Sequence, residues 1–100
     1  MDTDIIKNIG IDEEGKLYVS PQSKSFPMIY REAVEVHWNT EKSYLYSPKP
    51  RKWSYITWFQ QIVSAAQMQD VNLILTKNTE WYNVPEELKN EIKAVSENES

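Results

Sequence analysis

The sequence predicts an α+β domain: a mostly antiparallel sheet of about five strands, one long helix packed on one face, and a short C-terminal helix. Three observations carry that reading. Two-residue alternation crowds the first half of the chain, at 16–20, 33–39 and 43–46, whereas helical periodicity appears only after residue 53. Turn chemistry separates the alternating stretches, with DEEG at 12–15 and TEK at 40–42. With 100 residues, 40% of them hydrophobic, the chain fills one core and not two, so one domain is expected over 1–95 with a disordered tail at 96–100.

The opening is a hairpin. Ile9 and Ile11 lead into Asp12-Glu13-Glu14-Gly15, where Gly15 supplies a positive φ, and 16–20 returns with Leu17 and Val19 on one face. Residues 26–30 (FPMIY) are apolar but too few to type, so strand and single helical turn both stay open. A second hairpin is expected from Ala33. Val34, Val36 and Trp38 alternate with Glu35, His37 and Asn39, and after a polar turn Tyr44 and Tyr46 share one face. Pro48 and Pro50 end that strand in an extended connector.

The long helix follows at 53–69, WSYITWFQQIVSAAQMQ. Ser54 is its expected N-cap, with Trp53 and Trp58 placed for a hydrophobic staple. Ile56, Phe59, Ile62, Val63 and Ala66 form the core stripe, and a second row of Trp58, Ile62 and Ala65 widens the apolar arc past what one sheet face needs. This helix holds no charge, although 26% of the chain is charged and about four would be expected in a stretch of this length. Its polar side, all Ser, Thr and Gln, reads as a surface meant to be covered. Asp70 closes the helix, and 71–76 (VNLILT) is an apolar strand expected at the sheet centre. Pro85, Glu86 and Glu87 start the last helix, with Leu88, Ile92 and Val95 as its buried stripe.

Composition narrows function mainly by exclusion. With no Cys there are no disulfides and no thiolate zinc site, which suits a reducing compartment. No signal peptide or membrane span is read, so a soluble cytoplasmic protein is expected. Two glycines cannot build a phosphate-cradling loop. The net charge of −4 conceals acidic ends around a basic middle.

His37 is the only histidine, and Glu35 on its face is roughly 6.5–7 Å away along a strand, too far to orient the ring. No activated nucleophile, metal-ligand spacing or cofactor motif accompanies it, so a non-enzymatic protein is expected, with no cofactor and no metal. Between Trp38 and Phe59, seven of the twelve aromatics interleave with Lys42, Lys49, Arg51 and Lys52. A single-stranded nucleic-acid binder acting through 42–59 is one reading of that mixture. A small core filled by large side chains is the other, and it leaves nucleic acid the weaker partner.

An interaction module accounts for more of the sequence, because Trp, Tyr and Arg anchor interfaces and interface cores are depleted of charge. The expected arrangement is a homodimer about a two-fold axis, with Trp58, Gln61, Ile62, Ala65 and Gln69 meeting their symmetry mates. Arg51, Lys52, Trp53 and Tyr55 form a second, ligand-facing rim.

The runs SFPMIYREAVEVHW, YLYSPKPRKWSY and LTKNTEWYNVPEELKNEI resemble small uncharacterised proteins encoded by the mobile integron gene cassettes of bacteria. The resemblance covers about residues 16–93. It carries no catalytic motif with it and implies a compact α+β protein, dimeric and of accessory function. Since cassette cargo includes toxin–antitoxin genes, it also implies an alternative role as an immunity-like neutraliser of a partner protein.

Overall fold

A computed structural model describes residues 2–33, 35–48 and 54–98, with the side chains of 97 and 98 excepted. Strands β1 (Asp2–Ile11), β2 (Leu17–Pro21), β3 (His37–Asn39) and β4 (Tyr44–Tyr46) precede helix α1 (Tyr55–Met68). Strands β5 (Val71–Ile74) and β6 (Glu80–Tyr82) and helix α2 (Glu86–Asn98) complete the chain. The α+β class therefore holds, with six strands in one open sheet ordered β3-β4-β2-β1-β5, β6 lying beside β1 as well.

The first hairpin forms as expected. Asp12 accepts the backbone N–H groups of Glu14 and Lys16 on its Oδ1, each at 2.9 Å, and Gly15 takes φ 85°. Farther back, β1 and β2 pass through a bulge: Ile6 faces Pro21 but Asn8 faces Ser20, so β1 carries one extra residue. That insertion reverses the side-chain parity. As a result Ile6 and Ile9, three residues apart, both point into the core. Thr79 repairs the broken ladder, donating from Oγ1 to the Ile6 carbonyl at 2.7 Å while accepting the Thr76 N–H at 3.0 Å.

Three expectations are corrected. The second hairpin is shorter than alternation implied, because 29–31 is a 3-10 turn and the strand starts only at His37; Ile29, Ala33 and Val36 all plug into the core. Val34 lies outside the described residues. The apolar strand β5 is not central. Among the described residues it pairs only with β1, in parallel, while β1 itself takes the middle of the sheet. Residues 80–82, a run too short to be assigned from its periodicity, form β6, parallel to β1 as β5 is. Finally, α2 runs to Asn98, beyond the expected start of the tail.

Helix α1 explains its own wide apolar arc. It packs on the sheet over β2 and β5 and also against α2. Ser54 is the N-cap residue, in extended conformation, with its hydroxyl 3.2 Å from that of Thr57; the proposed Trp53 staple falls outside the described residues. Asp70 adopts φ 63° where the chain leaves the helix, and its N–H reaches the Gln67 carbonyl.

Candidate binding site on the open sheet face

Alternation decides which side chains leave the core. Across the sheet, Ile9, Val19 and Leu45 occupy one register line on the helix side, with Trp38 and Trp81 at its ends. The neighbouring line faces away from the helices and reads His37, Tyr46, Tyr18, Gly10, Tyr82, one residue from each of five strands. Tyr44 joins it from β4. Its ring stacks on that of Tyr18 with centroids 4.6 Å apart and meets Tyr46 edge-on at 6.1 Å. His37 tilts against Tyr46 at 5.3 Å.

The four tyrosine rings wall an open groove of about 690 Å3. Asn8, Ser20 and Asn39 line it from the strands, Asp12, Glu13, Glu14 and Lys16 from the first turn, and Lys42 and Asn83 from later turns. Burial is the main cause that pushes the Tyr18 and Tyr44 phenols above their ordinary pKa, with Asp12 adding to it. Tyr82 is raised chiefly because its hydroxyl donates to Glu80 at 2.8 Å. All three phenols stay protonated near neutral pH. They can stack and donate hydrogen bonds, but they are poor bases.

The groove already accommodates one cation. The Lys16 ammonium sits 5.7 Å from the Tyr46 centroid and 3.1 Å from a Glu14 carboxylate oxygen. With Lys16 so paired, Asp12 and Glu13 stand against Lys42, and the balance is slightly acidic.

The residues expected to self-associate sit elsewhere and are mostly unavailable. Trp58, Ile62 and Ala65 are only 6%, 0% and 2% exposed, buried within the chain's own core, because the arc they widen is filled by intramolecular packing. Gln61 is half-buried, and Gln69 donates to Glu32 at 3.1 Å. What α1 leaves exposed is the strip Gln60, Ser64 and Met68. Of the expected rim, Arg51, Lys52 and Trp53 lie outside the described residues, and Tyr55 is half-buried with its hydroxyl donating to the Gly15 carbonyl at 2.9 Å. The aromatic segment thus divides: Trp58 and Phe59 are core, Trp38 and Tyr55 pack against it, and Tyr44 and Tyr46 face out. Sequence reasoning passed over Tyr18, although its position between Leu17 and Val19 marks the opposite face. Tyr82 had no such signal, since three residues are too few to show a period.

Among the described residues, no group of three or more His, Asp or Glu is placed to hold a metal ion, and no helix is long and apolar enough to cross a membrane.

Residues 4–79 match the family model of Integron Cassette Protein Hfx_Cass5. The solved structure of Integron Cassette Protein Hfx_Cass5, from the mobile metagenome of the North West Arm sewage outfall, is 46% identical over 97% of this chain and 98% of its own, with a TM-score of 0.50. No curated protein matches. With the matched segment running from within β1 to the threonine that mends its bulge, the chain belongs to the Hfx_Cass5 family of integron cassette proteins.

Proposed function

We propose that this protein is a non-enzymatic, cytoplasmic binding module that receives a cationic side chain of a partner protein on its tyrosine-lined sheet face. The row His37, Tyr46, Tyr18, Gly10, Tyr82, with Tyr44 stacked beside it, carries the proposal. Tyr, Asn and Ser are the residues that adaptable protein-binding surfaces favour, because rigid rings supply contact area and short polar groups supply hydrogen bonds. Tyrosine faces attract cations, and Lys16 over Tyr46 is an intramolecular example. The acidic turn adds to that attraction. Neutralising a basic partner protein is one form of this role. A nucleic acid suits the face less well, because Asp12, Glu13 and Glu14 would meet its phosphates.

The test is ring-resonance mapping by NMR with three probes: an arginine-rich peptide, a glutamate-rich peptide and a single-stranded oligonucleotide. The arginine-rich peptide is expected to move the Tyr18, Tyr44, Tyr46 and Tyr82 signals, and Tyr44→Ala to weaken that binding about tenfold. Salt-sensitive binding of the oligonucleotide in place of the peptide, or no movement of these rings with any probe, overturns the proposal.

A further inference from the structure

We infer that a second copy of this chain pairs antiparallel with the outer edge of β5, joining two sheets across a two-fold axis. Strand β1 occupies one edge of β5, and no strand among the described residues occupies the other. Proteins that leave an edge open to water ordinarily block it with a charge, a proline or a bulge. Val71–Ile74 carries none of these, nor do Leu75 and Thr76 beyond it. The other free strands are guarded: β3 has only three residues, and β6 begins with an exposed Glu80. Ile74 is 37% exposed beside the open edge. A groove of about 520 Å3 runs along it, with Leu73, Leu75 and Trp81 among its walls.

Charge selects the occupant and its direction. Asp70 immediately precedes the strand, and Lys77 closes the stretch that follows it. When two identical edges run antiparallel, the Asp70 end of each copy comes beside the Lys77 end of the other. Parallel pairing would set like charges together. A two-fold axis normal to the sheet also keeps every side chain on its own face. Leu73 and Leu75 of one copy then meet Leu75 and Leu73 of the other beside the groove, while Ile74 meets its own symmetry mate on the reverse side.

This arrangement leaves the tyrosine face free and is independent of what that face binds. Light scattering up to millimolar concentration is expected to give twice the 11.8 kDa chain mass. Ile74→Lys should return it to the single-chain mass with the far-ultraviolet dichroism of the wild type. Lys77→Glu should weaken the dimer about fivefold, as loss of an exposed attraction does. Because the chain has no cysteine, Ile74→Cys provides a backbone-level check. Mild oxidation should link it into a dimer, whereas Tyr30→Cys, exposed on a different part of the molecule, should stay single. A single-chain mass throughout overturns the inference. So does a doubled mass that survives Ile74→Lys, or one that Tyr30→Cys captures as well as Ile74→Cys does.

Discussion

The ring of Tyr18 lies over Gly10, its direct partner across the β1–β2 ladder, and fills the space where any other residue would carry its Cβ. The glycine makes the tyrosine face possible: it lets Tyr18 lie flat between the strands, where Tyr44 can stack on it.

Gly10→Ala should therefore cost about 1–3 kcal/mol by overpacking, read from urea denaturation. In a Tyr18→Ala background the same change should cost little, because its obstacle has gone and alanine tolerates a strand better than glycine. Equal costs in both backgrounds would mean that the ring is not what excludes the side chain.

Thr79→Val should remove about 1–3 kcal/mol, since the valine keeps the shape and leaves the buried Ile6 carbonyl and the Thr76 N–H without their partner. Thr79→Ser should recover most of the loss. Amide exchange at Thr76 offers an independent readout, and it should quicken in the valine variant alone.

Asp4 predicts a pH dependence. Burial pushes its carboxyl up, but hydrogen bonds from the backbone of Lys24 and from the backbone and hydroxyl of Ser23 outweigh that and hold it below the usual range. A carboxyl depressed in the folded state contributes stability that is fully present above its unfolded value of about 4 and fades as pH falls through the lowered one. Asp4→Asn should thus be less stable than wild type at neutral pH, by about 1–3 kcal/mol. The gap should narrow below about pH 4. A gap that stays constant down to pH 2 would remove the carboxylate from the explanation.

Trp58→Glu should unfold the chain rather than divide an assembly, because the indole is enclosed by the protein's own core. Trp58→Ala should cost about 3–5 kcal/mol, a large share of the roughly 5–15 kcal/mol that holds a domain of this size. Thermal melting followed by circular dichroism separates this from a surface effect, which would leave the midpoint unchanged.

Local rules of the chain were legible where they act over a few residues. DEEG announced the first turn, Pro85 and the glutamates after it announced α2, and alternation placed Tyr44 and Tyr46 on one face. Alternation failed at Ala33 because Ile29, Ala33 and Val36 enter the core from a 3-10 turn and the turn after it, at spacings of four and three residues instead of two. The bulge in β1 was invisible for a related reason: one inserted residue changes parity without changing composition.

By itself the order of amino acids determined the α+β class, the apolar stripes of both helices and the tyrosine-bearing face of the hairpins, since turn geometry and side-chain period are properties of short segments. Only the tertiary structure decided that β5 and β6 run parallel beside β1, which put the most apolar strand at an edge. It also decided that Trp58, Ile62 and Ala65, the second row of α1, are buried within the chain's own core. The physical reason is common to both. Burying apolar surface has no direction and names no partner, so a stripe can tell how much must be covered while the chain's return path settles by what.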